Sequence, residues 1–183
     1  MTYYGAKELA RSFRTVRLNT LKIAEEIPEE SYGFRPAEGC RTVAETLVHV
    51  AVMTRVPEQI HAVEHRSTLV GFDFFGLMAK LQAEVNAPRT KAQVLYLLRT
   101  EGEKYANFLQ GISEDFLAEQ VEYPEGMEPR VKSRFEMLIA PKEHEMHHRG
   151  QLMVVERMLG ITPHLTRQME ERIASIQAAQ GGR

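Results

Sequence analysis

The sequence predicts an all-α protein built on a four-helix bundle with additional short helices. Three observations carry that expectation. Four segments repeat apolar residues at steps of three and four, the period of a helix with one buried face. Three of the predicted helices open with a Ser/Thr-x-x-Glu/Gln capping box. No run of alternating apolar and polar residues is long enough to make a useful strand.

The first helix is expected from about Tyr4 to Glu26, on the stripe Leu9, Phe13, Val16, Thr20, Ala24 and Ile27. Pro28 ends it, and residues 28–41, with Pro28, Gly33, Pro36 and Gly39, read as a loop. Thr42 is the N-cap of the second helix, with Glu45 reaching back and Val43, Leu47, Val50 and Ala51 as its stripe. Pro57 lacks an N–H and crowds the turn before it, so this helix should kink there or a new one begin. Gly71 to Gly76 is a further break, and a short helix follows from about Asp73 to Asn86.

Thr90 and Gln93 open the third long helix, on Val94, Leu97, Leu98, Tyr105 and Phe108 or Leu109, and Gly111 ends it. Residues 113–116 read as one helical turn, and residues 121–130 as a loop. Ser133 and Glu136 open the last long helix, which runs to Leu159 and stops at Gly160 with Pro163 beyond. Pro141 lies inside it and should bend it. A shorter helix is expected from Leu165 to about Gln177, then a frayed tail over residues 180–183.

At 183 residues the chain suits a single domain, 1–183, with its core over about 4–163. It is 43% apolar and 26% charged, as soluble globular proteins are. A net charge of −2 and scattered basic residues give no reason to expect nucleic acid as a partner. No apolar stretch reaches membrane-spanning length, so no membrane association is expected. The one cysteine, Cys40, cannot form an internal disulfide and fits a reducing compartment. Residues 1–8 lack the basic start and apolar run of a signal peptide, and a cytoplasmic location is the expectation.

Three of the seven histidines fall in the segment 144–151, His-Glu-Met-His-His-Arg-Gly-Gln. His144 and His148 are one helical turn apart and can project from one face. Neutral imidazole is a ligand for zinc, nickel and related ions, and catalytic sites often combine three protein ligands with an open position. The third ligand must come from elsewhere, and His49 beside the apolar stripe of the second helix is the best candidate. The ordinary alternative for a lone histidine there is a partly buried ring bonded to a carbonyl. His147 could take the place of His148, or face the substrate. Gln151 shares the face of His144 and His148 and could line the pocket or fix a ring. Gly150 suggests close helix packing. Glu45 reads as a cap rather than as a carboxylate orienting His49. His61 and His65, also spaced i, i+4, lie among Gln59, Glu64 and Arg66 and read as a solvated face. His164 reads as a surface residue.

The histidine segment, the stop at 159–163 and the upstream Thr-Val-Ala-Glu-Thr-Leu-Val-His ending at His49 resemble the DinB/YfiT-like family. The Phe34-Arg35-Pro36 loop and the early helix around Phe13-Arg14 fit as well, so the likeness runs from about Leu9 to Pro163. The resemblance implies a four-helix bundle, often dimeric, that binds a divalent metal through three histidines matching His49, His144 and His148. Relatives include enzymes that transfer low-molecular-weight thiols such as bacillithiol and mycothiol.

Three functions compete at this point. The first is a metal-dependent enzyme holding zinc or nickel at His49, His144 and His148, which passes a low-molecular-weight thiol to an electrophilic small molecule; Glu145, His147 and Gln151 are its candidate catalytic residues. The second is a metal-dependent hydrolase, because residues 144–148 match H-E-x-x-H and Glu145 would then activate water. Zinc peptidases need a further ligand downstream, for which Glu170 or Glu171 are at a conceivable distance, but Gly160 and Pro163 intervene. The third is a metal-binding stress-response protein without turnover.

Overall fold

The structure, a computed structural model, describes residues 4–181. Helix α1 spans Ala6–Glu26, α2 Val43–Val52, α5 Lys91–Gly111 and α7 Arg134–Met158, and these four make the bundle. The short elements are α3 (Arg55–Glu58), a π-helical turn (Gln59–Val63), α4 (Phe74–Asn86) and α6 (Glu114–Ala118). Helix α8 (His164–Gly181) closes the chain. Among the described residues no helix is long and apolar enough to cross a membrane.

The helix starts follow the capping chemistry. Thr42, Thr90 and Ser133 each accept from the backbone N–H three residues on, and Glu45, Gln93 and Glu136 reach back to the cap. Asp73 and Ser113 cap α4 and α6 in the same way without the return bond. Gly160, at φ 78°, ends α7, a conformation that costs glycine little. Every residue of the stripe expected in α1 is buried, from Leu9 to Ala24, and so is Ile27 beyond its end.

Helix α1 packs on α5 and α7, and α2 packs on the same two helices. The first two bundle helices therefore stand diagonally across from each other. The core lies in two clusters. One gathers Leu21, Ile23, Leu47, Val50, Val94, Leu98 and Leu152, and the other Leu9, Phe13, Tyr105, Leu109 and Leu138. Between them sits a charged layer. Arg17 of α1 is 3% exposed and Glu145 of α7 is 1% exposed. Arg17 Nε lies 2.9 and 3.1 Å from the two carboxylate oxygens, while its other nitrogens donate to the carbonyls of Leu98 (2.7 Å) and Val50 (3.2 Å). One guanidinium carried by α1 thus bonds to the other three bundle helices, and every contact is charge-assisted.

Several expectations are corrected. The second helix ends at Val52, and of the two outcomes expected at Pro57 the structure has the new helical turn, α3. The loop expected at 121–130 is the connection of a two-stranded antiparallel hairpin, β1 (Gln120–Glu122) and β2 (Val131–Ser133), with Val121 paired to Lys132. Helix α7 continues through Pro141 as expected, whereas α8 runs past its expected end near Gln177 to Gly181; Gly182 and Arg183 of the expected tail lie outside the described residues. Gly150 faces open space, so no close packing explains it. Within the bundle helices a glycine does permit close packing at Gly102 of α5, where a Cβ would lie 2.7 Å from Arg17 Cγ.

Candidate metal centre

Helix α2 carries His49, seven residues after its Thr42 cap, on the face turned to α7. Helix α7 carries His144 and His148 on successive turns. Their Nε2 atoms converge: His49 to His144 is 3.1 Å, and His148 to His144 is 3.1 Å. All three ligand atoms lie within 4.8 Å of one another. Two imidazole nitrogens bound at about 2.0–2.1 Å to one ion are about 2.9 Å apart at right angles and about 3.4 Å apart at the tetrahedral angle. The observed spacing falls between these values, so the donor set fits a single small divalent ion. Among the described residues this group holds three such donors, so an ion bound by them alone would have a position to spare for water or substrate.

The electrostatics keep the rings in their ligand form. Burial, followed by the charge of Arg41, holds His49 down to about 3. Burial and the neighbouring His148 hold His144 down to about 4. Burial lowers His148 too, against an opposing bond to Gln151. Gln151 Oε1 is 2.8 Å from His148 Nδ1 and accepts from its N–H, which leaves the Nε2 lone pair free toward the other two rings. The amide nitrogen of Gln151 is 3.1 Å from His147 Nε2. His147 itself is exposed, and Glu45 is spent on its helix cap and on Arg35.

Glu145 is turned away from this centre. Its carboxylate is committed to Arg17 in the bundle interior, so it is not the group that meets water at the histidines. Two more sequence expectations fail here. His61 is fully buried, because the π turn rotates it inward, and only His65 remains exposed. His164 is buried as well, with Nε2 3.3 Å from Asn19 Oδ1 of α1, because α8 folds back against the bundle. Arg17 was open to detection, since it falls four residues after Phe13 and three before Thr20, within the apolar stripe of α1. Arg41 carries no such signal, being a loop residue placed near the rings only by the fold.

Two cavities flank the histidines. One, of about 620 Å³, runs from His144 along Met53, Ile60, Phe72, Phe74 and Met137 and is mostly apolar. The other, of about 650 Å³, lies on the side of His147, His148 and Gln151 and carries Arg41 and the free, exposed Cys40.

The profile of the DinB family matches residues 1–177. The chain belongs to the DinB family. An uncharacterised DinB-like relative, YjoA of Bacillus subtilis, is 24% identical over 164 residues, covering 86% of this chain and 92% of its own length. Its crystal structure superposes with a TM-score of 0.62, covering 85% of this chain and 94% of that one. A DinB-like protein of Bacillus cereus gives 0.67 at 17% identity, over 88% and 97% of the two chains. YfiT from Bacillus subtilis, described as a probable metal-dependent hydrolase with an unusual four-helix bundle topology, gives 0.66 at 13% identity, over 88% and 91%. These likenesses establish a DinB/YfiT-like four-helix bundle.

Proposed function

We propose that this DinB family protein is a metal-dependent enzyme. In it His49, His144 and His148 hold one divalent ion, zinc or nickel, and a low-molecular-weight thiol is passed to an electrophilic small molecule. The observation that carries the reading is the convergence of three neutral imidazoles beside two separate cavities. A divalent ion bound there supplies Lewis acidity, lowering the pKa of a thiol or water that reaches it. The residues of the chain divide the remaining work. The apolar cavity binds the body of the electrophile and excludes water from it. Arg41, in the second cavity, attracts the carboxylate groups that small thiols carry. Gln151 holds His148 in the tautomer a ligand needs, and His147, bonded to Gln151 and open to solvent, is placed to carry a proton away. An ion held by three protein donors would keep a position for substrate, which the closed four-ligand shell of a structural ion does not. The free Cys40 is in keeping with a reducing, cytoplasmic setting.

A second reading, a metal-dependent hydrolase, is favoured by the description of YfiT and by the same site chemistry. It would have to work without Glu145 as the base. One assay separates the two. Metal-loaded protein is given bacillithiol and 1-chloro-2,4-dinitrobenzene; a carbon–sulfur bond forms, chloride leaves and the thiol proton passes to solvent. Transfer above the uncatalysed rate, lost in His148→Ala, is expected. Absence of transfer with every small thiol offered, together with metal-dependent ester or amide hydrolysis, would put the hydrolase first.

A further inference from the structure

His61 lies outside the histidine centre, and nothing in the proposed reaction uses it. The π turn Gln59–Val63 is built on the i, i+5 bond from Glu64 N–H to the Gln59 carbonyl (2.9 Å), and it turns the His61 ring into the interior. There Nδ1 is 2.8 Å from Nη1 of Arg134. Arginine offers only donors, so Nδ1 must be the acceptor and the ring proton must sit on Nε2. Arg134 is held in turn by Glu119 (Nε to Oε2, 2.9 Å) and stacks on Phe116 at 4.4 Å. The tautomer of His61 is therefore set by the buried Arg134, which the exposed Glu119 holds from outside. Burial and the Arg134 charge hold its pKa down to about 4, so the ring is neutral at pH 7.

The consequence is a donor with nothing to donate to. Nε2 of His61 is buried without a hydrogen-bond partner, and His61 belongs to the wall of the 620 Å³ apolar cavity that reaches His144. Nε2, the ring nitrogen that Arg134 does not occupy, is the polar group His61 has left for a molecule bound in that cavity. An unpaired buried N–H is costly, and sites that present one select ligands able to satisfy it.

We infer that this cavity is the electrophile subsite. It takes a small, largely apolar molecule with an uncharged oxygen acceptor, such as a ketone or ester carbonyl, which receives the Nε2–H of His61 while the rest lies toward His144. His61 is then a specificity-determining residue. The inference deepens the proposed reaction and rests on it for what happens at the His144 end, but the subsite itself is independent of the metal.

Binding is measured on metal-free protein, so that failure here is distinct from failure of the metal reading. The probes are 4-phenylbutan-2-one and its hydrocarbon counterpart butylbenzene. The ketone is expected to bind about tenfold tighter or more. His61→Phe should abolish that preference while keeping the affinity for butylbenzene. Nitrogen NMR of His61 in the unaltered protein provides a readout that needs no variant: one protonated Nε2, whose signal moves with the ketone and not with the hydrocarbon. Equal affinity for the two probes, as when a bound water already meets the N–H, would overturn the inference. So would failure of both to bind, a preference that survives in His61→Phe, or a proton found on Nδ1.

Discussion

Glu145 follows His144 by one residue and turns into the bundle to meet Arg17, so the carboxylate and the imidazole serve different neighbours. Glu145→Gln should leave the stoichiometry of zinc binding unchanged. It should destabilise the fold by about 2–4 kcal/mol, because the buried Arg17 loses its counter-charge. Calorimetric metal titration and urea melts on the one variant check both statements; loss of zinc binding without loss of stability would restore Glu145 to the site. A second buried carboxyl carries a pH signature. Glu156 of α7 has no hydrogen-bond partner for either oxygen, and burial, with Glu26 nearby, pushes it up to about 7. Its folded pKa lies above the unfolded value, so folding favours the protonated form. That stability is present at pH 4 and is lost as pH rises through 7. Glu156→Gln should therefore gain stability on the wild type between pH 5 and pH 8, on the order of 1–3 kcal/mol, read from unfolding midpoints. At this scale the sequence made the three ligand candidates legible, since i, i+4 spacing and position beside an apolar stripe are local properties. His61 was not legible, because a π turn adds a residue and shifts the helical phase on which such readings depend.

Between elements, the approach of α1 to α5 depends on one missing side chain. Arg17 reaches the Leu98 carbonyl across the surface of Gly102. Alanine at 102 would improve helix propensity by about 1 kcal/mol. Its Cβ would also strike an arginine stem that cannot swing aside, since its guanidinium is fixed to α2, α5 and α7. Overpacking of that kind costs about 1–3 kcal/mol and should win. Gly150, on an exposed and open stretch of α7, has only the propensity term. Thermal melts should thus move in opposite directions, down for Gly102→Ala and up for Gly150→Ala; a common direction would refute the packing account. Helix boundaries were readable to within a residue or two wherever a capping box stood, because a cap is a local hydrogen-bonding pattern. The hairpin was not readable. Strands of three residues carry too little alternation, and the segment at 67–69 that bonds to Glu122 on the far side of β1 is distant in sequence.

For the whole molecule, the bundle order follows from stripes and loops that are visible in the sequence, but the diagonal placement of α1 and α2 does not. That placement is what sets α2 against α7 and closes the centre. It also has a mechanical side. His49 and His144 are 95 residues apart in the chain. An ion that takes both, with His148, closes a loop containing α3, α4, α5, α6 and the hairpin, as a cross-link would. By the chain-entropy estimate, a covalent link over about 100 residues is worth about 4–5 kcal/mol against the unfolded state. A metal tether is reversible, and its effect follows the free-ion concentration. Zinc should then raise the melting temperature and slow proteolysis, with EDTA reversing both and His49→Ala losing the effect. On the proposed reading the ion would also be a clasp, so that starving the cell of metal would not only remove the reaction but mark the protein for degradation.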